Sequence, residues 1–506
     1  MSLRYLFTAK EAKKLDEHAI HTAGFPGLVL MEKAAMTLAS VLMEREDRKS
    51  GILFVCGTGN NGGDGLAAAR LLHQQGFRTA VILIGNADKM TSDARTQLRL
   101  AAVCNVPVVE EEALLLPYYD VVVDGLFGVG LDRDITGVYQ KVIEDINASG
   151  KKVYAIDIPS GIHGASGAVM NAAVKAEVTV TFGVNKRGLV LYPGCGYAGE
   201  VIVGDIGYPQ ASYESVQNPA YYYEPEDLAR IVPARRRDGH KGSFGCVSII
   251  AGSSRMSGAA LFSARAAYAS GAGMVRLYSA DANRDVLLSG IPEAVFRSYD
   301  KEDGSLDYAA LDEAMEKGDC LVLGPGLGLD ARAEQIVHYA LDKCLKTVVL
   351  DGDGISLCRK ELLAGKGMRI LTPHPKEFSG ITGKEISQLR HNLPEEVRAF
   401  SAETGCIVVG KDARTIVSDG TEIYVNVSGN CGMGTGGSGD VLTGIIAAFA
   451  AQGAGCFCAA KTGTYVHGLA GDYFAKRYNE YSLTASGLLE SLRYVLSVPH
   501  DGGKQQ

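Results

Sequence analysis

Short apolar runs rich in β-branched residues alternate with stretches of helical periodicity along the whole chain, and no other feature limits the possible folds as much. Continuous apolar strands separated by helices are typical of a parallel sheet with both faces covered. The sequence therefore predicts an α/β fold with parallel sheets. We place strands at residues 52–55, 80–83, 121–123 and 153–156 in the first half, and at 247–250, 321–323, 348–350 and 407–409 in the second.

The alternation lapses once, between about residues 208 and 242, where several X-Pro steps and the basic run 235–237 occur. A chain of 506 residues is long enough for two or three domains with their own cores. We therefore predict two three-layer αβα domains, over residues 1–215 and 243–500, joined by a linker at 216–242. The arginine run is interpreted as a solvated surface segment.

The composition favours a small-molecule partner. A net charge of −8 and a pI near 5.8 give no general attraction to nucleic acid or to an anionic membrane. The eleven cysteines show no disulfide framework, and the pair Cys456 and Cys458 lacks the second pair that a tetrahedral metal site needs. We therefore expect reduced thiols and a cytoplasmic location.

Neither a signal peptide nor a membrane span is expected. Charged residues are frequent among the first 20 positions, where Thr8 and Glu11 form a capping-box pattern. The most apolar stretch, 441–460, is interrupted by Gly444, Gly453 and Gly455. This favours a buried helix followed by a turn.

The stretch 432–440 reads Gly-Met-Gly-Thr-Gly-Gly-Ser-Gly-Asp and leads directly into an apolar helical pattern. Glycines let the backbone turn its N–H groups onto an anion, and the start of a helix adds its positive dipole end. Asp440 is then the group there that can accept a proton. A flexible connector is the alternative, but five glycines in eight positions before an acid argue against it. The loop resembles the G-x-G-D anion hole of ribokinase-like small-molecule kinases, whose Asp activates a substrate hydroxyl toward a nucleotide's terminal phosphate.

A second glycine loop follows the first predicted strand. Gly57, Gly59 and Gly62 satisfy G-x-G-x-x-G, which raises the possibility of a nicotinamide-dependent dehydrogenase. The acid expected at the end of the second strand is missing, and the loop carries polar residues at 60, 61 and 64. Such side chains bind sugar hydroxyls or a cation, whereas a pyrophosphate mainly needs bare backbone.

Acidic residues also stand at two further strand ends, Asp124 and Asp157, each close to glycines. A single Asp in such a place is more often a helix cap than a catalyst. The carboxyl ends of a doubly wound sheet meet in one crevice, so three polar strand ends together favour a site.

The motifs at 60–64, 124–134 and 157–161 resemble the epimerase domain of the NAD(P)H-hydrate repair family. The second half is similar to that family's ADP-dependent dehydratase domain, so the resemblance covers nearly the whole chain. It implies a Rossmann-like epimerase domain over 1–215 and a ribokinase-like dehydratase domain over 243–500.

The resemblance also implies roles for residues of the first domain. Asn61, Asp124 and Ser160 match the ligands of a potassium ion, and hard oxygen ligands suit such a cation. Asp157 is the candidate acid/base for inverting C6, although a purely binding role stays open. Lys33 stands where many relatives have asparagine. The positions that match contacts to the hydrated nucleotide are Asn60, Asn61, Gly62, Gly63, Asp64, Gly128, Val129, Gly130, Leu131, Asp132, Arg133, Asp134 and Asp157.

For the second domain the resemblance implies contacts to the hydrate from Ala259, Gly328, His374 and Asp440. Relatives usually have glycine where this chain has Asp412, which changes the charge near the nucleotide. On its own, His374 between two prolines fits a rigid turn as well as a site. The positions that match nucleotide contacts are Lys411, Asp412, Ala413, Arg414, Thr415 and Gly439.

The implied chemistry accounts for a kinase-like loop in a lyase. Hydroxide at C6 of a hydrated nicotinamide is a poor leaving group, and phosphorylation makes it a good one. Asp440 would accept the hydroxyl proton while the N–H groups of 434–439 stabilise the moving phosphoryl. The resemblance thus implies NADHX and NADPHX as substrates and ADP with magnesium as co-substrate, and we expect a homo-oligomer. The preference between NADHX and NADPHX, and between ADP and ATP, is left open.

Two other functions fit part of the sequence. The loop 434–440 alone would suit a ribokinase-like kinase for a small alcohol, with the first half as a regulatory ligand domain. The first half alone could be a binding or dimerisation module. The acids at 64, 124 and 157 together with Ser160 favour a working pocket over a scaffold.

Overall fold

The computed structural model describes residues 4–109, 116–364 and 367–497. The chain divides into two compact units between residues 220 and 221. This division falls inside the segment 216–242 that was predicted as a linker, and that segment is partly structured, since it contains a strand at Ala220–Tyr222 and a helix at Leu228–Ile231. The outer ends of the two predicted domains, at 1 and 500, lie outside the described residues.

The first unit alternates strands and helices. Its strands are β1 (Arg4–Phe7), β2 (Gly51–Cys56), β3 (Arg78–Leu83), β4 (Val108–Val109), β5 (Val121–Gly125), β6 (Lys152–Ile156), β7 (Val178–Phe182), β8 (Asn185–Lys186) and β9 (Glu200–Gly204). Its α-helices are α1 (Ala9–Glu17), α2 (Gly27–Arg45), α3 (Asn60–Gln74), α4 (Ser92–Val103), α5 (Val138–Ala148), α6 (Arg187–Val190), α7 (Cys195–Ala198) and α8 (Gln210–Glu214), with a π-helical turn at His18–Thr22 and 3-10 turns at Ala87–Lys89 and Leu116–Tyr118.

Seven strands of this unit form a parallel sheet in the order β4-β3-β2-β5-β6-β7-β9, and β1 pairs with β8. All four strands predicted in the first half lie within β2, β3, β5 and β6, so those predictions are confirmed. The capping box of Thr8 and Glu11 at the start of α1 is also present.

Alternation of side chains along β2 explains the three layers. Ile52 and Phe54 join the core cluster that contains residues of α2, α3 and α4, whereas Leu53 and Val55 join the cluster that contains residues of α5. Successive side chains of a strand point to opposite faces. The sheet is therefore covered on both sides, as the continuous apolar runs predicted.

Helix α3 begins at Asn60, six residues before the helical pattern that the sequence indicated from Leu66. The motif 60–64 thus forms the first turns of a helix, and only residues 57–59 form the loop. A Cβ on Gly62 would lie 1.9 Å from the Gly57 carbonyl oxygen, so the turn can close this tightly only with glycine there.

The second unit contains the remaining elements. Its strands are β10 (Ala220–Tyr222), β11 (Cys246–Ile250), β12 (Met274–Ser279), β13 (Val295–Ser298), β14 (Cys320–Leu323), β15 (Thr347–Leu350), β16 (Arg369–Leu371), β17 (Ile407–Gly410), β18 (Ile416–Ser418) and β19 (Ile423–Val425). Its α-helices are α9 (Leu228–Ile231), α10 (Ser257–Ala269), α11 (Arg284–Gly290), α12 (Tyr308–Lys317), α13 (Ala331–Lys343), α14 (Asp353–Leu357), α15 (Pro375–Thr382), α16 (Ile386–His391), α17 (Leu393–Thr404), α18 (Ser438–Ala451), α19 (Cys456–Arg477) and α20 (Ala485–Val495). Short 3-10 turns lie at Pro225–Asp227, Lys241–Phe244, Asp281–Asn283, Lys360–Leu362 and Cys431–Met433.

The strands of this unit follow the order β13-β12-β11-β14-β15-β16-β17-β18-β19-β10. Neighbours are parallel except that β18 runs antiparallel to both β17 and β19. The strands predicted in the second half lie within β11, β14, β15 and β17 and are confirmed. Helix α18 packs on α10 and contacts β14 and β15, α12 contacts β11, and α17 contacts β17.

The apolar stretch 441–460 forms most of α18, a turn and the start of α19, as predicted. Among the described helices, none has the length and hydropathy needed to cross a bilayer. None of the eleven cysteines, all of which lie in the described part of the chain, forms a disulfide bond. The arginine run lies on the surface, where Arg235 stacks on Phe244 at 3.9 Å and Arg236 pairs with Asp238 at 2.7 Å.

Candidate active sites

The order of the strands in the second unit brings three polar side chains together. Asp351, Thr372 and Lys411 directly follow β15, β16 and β17, which are neighbouring parallel strands. Lys411 Nζ lies 2.9 Å from Asp351 Oδ1, and the Thr372 hydroxyl donates to the same oxygen at 2.7 Å. The carboxyl ends of parallel strands are where ligands bind in open α/β sheets.

Asp351 and Lys411 form an ion pair in which the Asp351 side chain is buried and the Lys411 side chain is 21% exposed. Burial alone would raise the pKa of Asp351, but the Lys411 ammonium and the hydrogen bond from Thr372 outweigh it and lower that pKa. Burial likewise opposes the charge on Lys411, but the carboxylates of Asp351 and Glu377 raise the pKa of Lys411 above its usual value. Both groups are therefore charged at neutral pH.

The amino end of α18 lies directly beside this ion pair. Gly437 precedes the helix with a φ of +86°. A Cβ built on Gly439 would lie 3.3 Å from Lys411 Nζ and 3.9 Å from Asp351 Oδ2. The first turn of a helix leaves backbone N–H groups unpaired, so those groups and the Lys411 ammonium face the same volume.

Asp440 lies in the same first turn, as the sequence predicted. Its backbone carbonyl accepts from the Ser263 hydroxyl at 3.1 Å, which ties α18 to α10. Burial and the nearby charge of Asp351 raise the pKa of Asp440 to about 7, while Lys411 acts in the opposite direction. A carboxylate with a pKa near neutrality is suited to accept a proton at physiological pH.

A glycine-rich loop after β14 positions residues that the resemblance assigns to contacts with the hydrated nucleotide. Gly324, Gly326 and Gly328 all have positive φ, which L side chains rarely adopt. A Cβ on Gly326 would lie 3.0 Å from the Ala259 Cβ, and the Gly328 N–H donates to Asp353 Oδ2 at 2.8 Å. Ala259 at the start of α10 is thus adjacent to this glycine loop.

His374 is the N-cap of α15. Its Nδ1 accepts from the backbone N–H groups of Lys376 at 3.1 Å and Glu377 at 3.2 Å, and Glu377 accepts from the His374 N–H at 2.8 Å. Burial and the charge of Lys411 lower the pKa of His374. With Nδ1 accepting, the proton of the neutral ring is on Nε2, and that nitrogen is a hydrogen-bond donor.

The segment 411–415 is the connection between antiparallel strands β17 and β18. Arg390 Nε of α16 lies 3.0 Å from Asp412 Oδ2, and the Ala413 N–H donates to Asp412 Oδ1 at 2.9 Å. Arg414 donates to the Val427 carbonyl at 2.6 Å. The extra carboxylate at position 412 is thus paired with a cation of the same unit.

In the first unit, Asp124 is fully buried and its two oxygens accept three hydrogen bonds. Ser160 donates to them from its backbone N–H at 2.8 Å and its hydroxyl at 2.6 Å, and the Leu126 N–H donates at 3.2 Å. Burial raises the pKa of Asp124 to about 6 in spite of the Ser160 hydrogen bonds.

Asn61 borders the same group of residues. A Cβ on Gly128 would lie 3.3 Å from the Asn61 side chain. Asn61 Nδ2 is buried and has no hydrogen-bond partner among the described residues. The oxygen and nitrogen atoms of an amide side chain can be exchanged by rotating the amide. If Asn61 Oδ1 took the position of Nδ2, it would be a buried acceptor without a donor.

Asp157 pairs with a residue that the sequence did not indicate. Lys186 Nζ, buried beside β8, lies 2.5 Å from Asp157 Oδ1, and the Thr181 hydroxyl donates to the same oxygen at 3.1 Å. Asp157 has a φ of +65°, which is uncommon for a residue other than glycine. A strained backbone conformation of this kind is frequent at functional sites.

A second carboxyl group faces this pair. Burial and the charges of Asp157 and Asp16 raise the pKa of Asp64 well above its usual range, while Lys186 opposes them. Asp16 in turn accepts a hydrogen bond from the Tyr208 hydroxyl. Asp64 is therefore close enough to the Asp157–Lys186 pair for both charges to act on it, and neighbouring carboxyl groups whose pKa values are pushed apart can divide acid and base roles.

The other residues matched to the epimerase site lie at its edges. Asn60 accepts from the Thr91 hydroxyl at 2.6 Å, and the segment from Gly128 to Asp134 is a turn that is exposed at 130 and 132–134. Lys33 is exposed on α2.

Sequence reasoning missed Asp351, Asp353 and Glu377 in one unit and Lys186 in the other. Asp351 carried a usable signal, because it follows an apolar strand and precedes a glycine just as Asp124 does. Lys186 carried none, since its partner is recognisable only once the strands are paired.

Comparison with known proteins agrees with this geometry. Residues 27–188 match the family described as YjeF-related protein N-terminus, and residues 247–493 match the family described as NAD(P)H-hydrate dehydratase. The bifunctional NAD(P)H-hydrate repair enzyme of Thermofilum pendens is 37% identical over 96% of this chain and 95% of its own length. The enzyme of the same name from Moorella thermoacetica is 33% identical over 97% of this chain and 96% of its own length.

A solved structure also resembles the second unit. The ADP/ATP-dependent NAD(P)H-hydrate dehydratase of Bacillus subtilis, co-crystallised with ATP and Mg²⁺, is 26% identical and covers 54% of this chain and 97% of its own, with a TM-score of 0.49. Since both domain families occur here in one chain and the relatives match over nearly their whole length, this protein belongs to the family of bifunctional NAD(P)H-hydrate repair enzymes.

Proposed function

We propose that this protein repairs hydrated nicotinamide nucleotides. The first unit interconverts the R and S epimers of NADHX and NADPHX, and the second dehydrates the S epimer at the expense of ADP. The observation that carries the proposal is Asp440, a base with a pKa of about 7 that stands beside the Lys411 ammonium at the amino end of α18.

Dehydration begins as a phosphoryl transfer. The Asp440 carboxylate accepts the proton of the C6 hydroxyl as the hydroxyl oxygen attacks the terminal phosphorus of ADP, the bond from that phosphorus to the bridging oxygen breaks, and AMP leaves. The N–H groups of the first turn of α18 and the Lys411 ammonium stabilise the negative charge on the transferred phosphoryl group. The phosphate oxygens of the nucleotide would hold magnesium, which would supply further positive charge.

Elimination then follows from the better leaving group. The C6–O bond breaks, phosphate leaves with the bonding pair, and a proton is lost from C5, so that the reduced nicotinamide ring is restored. The Nε2 of His374 lies 3.3 Å from Glu377 Oε1, and its hydrogen can be shared with a substrate acceptor beside it, so that it orients the substrate. The fixed loop 324–328 holds the nicotinamide ring of the substrate against the start of α10.

Epimerisation needs a base and an acid at one carbon-bound oxygen. Asp157, held by Lys186, is suited to take the proton of the C6 hydroxyl as the C6–N1 bond breaks, with its electron pair passing to N1, to give an open-chain aldehyde that recloses on its other face. Burial raises the pKa of Asp64 well above its usual range, which favours the protonated form that can return a proton to the C6 oxygen. Carboxyl groups held apart in this way commonly divide acid and base roles.

We further propose that Asn61, Asp124 and Ser160 hold a potassium ion. The buried amide of Asn61, which has an end without a partner, and the oxygen-rich contacts of Asp124 and Ser160 fit a hard monovalent cation. When bound, the ion would supply positive charge that fixes the relative positions of the start of α3, the end of β5 and the loop after β6. We also propose a homo-oligomer, which light scattering of the purified protein tests.

The test is regeneration of reduced-cofactor absorbance from a mixture of both epimers. With ADP present, wild-type protein should convert the R epimer as well as the S epimer, so that regeneration proceeds past the S fraction. Asp157→Ala should stop at the S fraction, and Asp440→Asn should bind ADP but regenerate nothing. A stable phosphorylated product without regeneration would instead indicate a small-molecule kinase.

A further inference from the structure

The ion pair of Asp351 and Lys411 has a role in the proposed dehydration that no sequence motif assigns. Lys411 is a cation among several carboxyl groups. The charges of Asp351, Glu377 and Asp440 all act on it, and those of Asp351, Lys411 and Asp353 act on Asp440. In principle, the ammonium could pair with more than one of these carboxylates.

The structure fixes which pair forms. Lys411 Nζ contacts Asp351 Oδ1 at 2.9 Å, and that oxygen is held by the Thr372 hydroxyl at 2.7 Å. The Asp351 backbone is held as well, because its carbonyl would lie 2.2 Å from a Cβ on Gly324 and its N–H donates to the Leu323 carbonyl at 3.2 Å. The side chain and backbone of Asp351 are therefore both held in one position.

The partner of the Lys411 ammonium affects the ability of Asp440 to act as a base. If Lys411 paired directly with Asp440, the ammonium would occupy the carboxylate that must accept the hydroxyl proton and would weaken it as a base. Held by Asp351, the ammonium stays beside Gly439, where it faces the incoming phosphate.

We propose that Asp351 is a positioning residue of the dehydratase, which holds the Lys411 ammonium against the first turn of α18 and away from the Asp440 carboxylate. The inference rests on the proposed function of this unit. It adds that a buried carboxylate, which touches neither substrate, keeps the cation for phosphate and leaves the base free.

The experiment measures kcat/KM for dehydration of the S epimer as a function of pH in the full-length protein. The acid limb of this profile reports the pKa of the base in the free enzyme. In Asp351→Asn, the charge of Asp351 that raises the pKa of Asp440 is lost and Lys411 is released to pair with Asp440, so the limb should move down by at least about one pH unit and kcat should fall at least about tenfold. In Lys411→Met the cation is lost, and the limb should move up instead.

Two further variants separate positioning from folding. Asp351→Glu keeps the charge but shifts the ammonium, so the limb should stay near that of the wild type while kcat falls. Asp319→Asn removes a carboxylate that accepts from the Cys246 N–H at 2.8 Å at the opposite end of the strands, and it should change neither value.

An acid limb in Asp351→Asn at the wild-type position, or displaced upward, would overturn the proposal. If Asp351→Asn does not fold, a displaced limb in Asp351→Glu or an unmoved limb in Lys411→Met would overturn it. If wild-type protein fails to regenerate reduced cofactor from the S epimer, the proposed function itself fails, and that outcome is separate from any shift among the variants.

Discussion

Lys186 Nζ lies 2.5 Å from Asp157 Oδ1 inside the first unit, and the same ammonium also donates to the Phe182 carbonyl at 3.0 Å. The side chains are 4% and 14% exposed, so little water can take the place of either partner. Removing one member of a buried pair leaves an uncompensated charge, which typically costs about 3–5 kcal/mol.

Lys186→Met is therefore expected to lower the free energy of unfolding of the first unit by about 3 kcal/mol and to slow epimer exchange more than about tenfold. Epimer exchange is measured by chromatography of the two epimers without ADP. Turnover of pure S epimer by the same preparation is the internal control and should be retained. Exchange at the wild-type rate would remove the pair from the mechanism.

Asp440→Asn should stabilise the second unit in a pH-dependent way. The folded pKa of about 7 lies above the ordinary value of 3.8, so the folded state binds the proton more tightly than the unfolded chain. Ionising Asp440 therefore costs stability as pH rises through this window, up to about 4 kcal/mol above pH 7. The variant should melt at a higher temperature than wild type at pH 8 and at nearly the same temperature at pH 4. Equal melting temperatures at pH 8 would contradict the raised pKa.

Gly439→Ala should raise the KM for ADP and lower kcat, so that kcat/KM falls by about tenfold. The added methyl would lie 3.3 Å from Lys411 Nζ, so the ammonium must move. Small displacements of positioned groups have large effects on rate. Gly380→Ala in α15 is the matched control, because nothing lies within 4 Å of its Cβ. Steady-state kinetics with S epimer and ADP measure both variants, and equal KM and kcat in Gly439→Ala would show that the ammonium need not stay where it is.

Asp412→Gly restores the residue that relatives usually have, and it should change the KM for ADP less than about threefold. Arg390 neutralises the carboxylate at 3.0 Å, and exposed pairs of this kind are worth about 0–1 kcal/mol. Arg390→Ala alone should raise the KM for ADP several-fold, since it leaves Asp412 uncompensated near the nucleotide. The double variant should return close to the wild-type value, and a strictly additive result would contradict the pairing.

The sequence predicted the strands and the first turn of α18 well because both depend on local patterns. Apolar runs such as 52–55 have no competing interpretation, and Asp440 follows directly from the glycine loop. The start of α3 was placed six residues late for a physical reason. Gly62, Gly63 and Gly65 have low helix propensity, but a Cβ on them would lie 1.9 Å from the Gly57 carbonyl oxygen, 2.8 Å from Met31 of α2 and 2.7 Å from Cys56 of β2, respectively.

Other parts of the sites depend on which strands are neighbours, and one sequence does not show that. Asp351, Thr372 and Lys411 are up to 60 residues apart and meet only because β15, β16 and β17 are adjacent. Lys186 reaches Asp157 in the same way, across a sequence separation of 29 residues. Such pairings become visible only when the register of the sheet is known.

The core clusters on both faces of the seven-stranded sheet contain residues of the first unit alone. A substitution that unfolds the first unit thus need not inactivate the second. Cells with such a variant would still repair the S epimer of the hydrated coenzyme, while the R epimer accumulated.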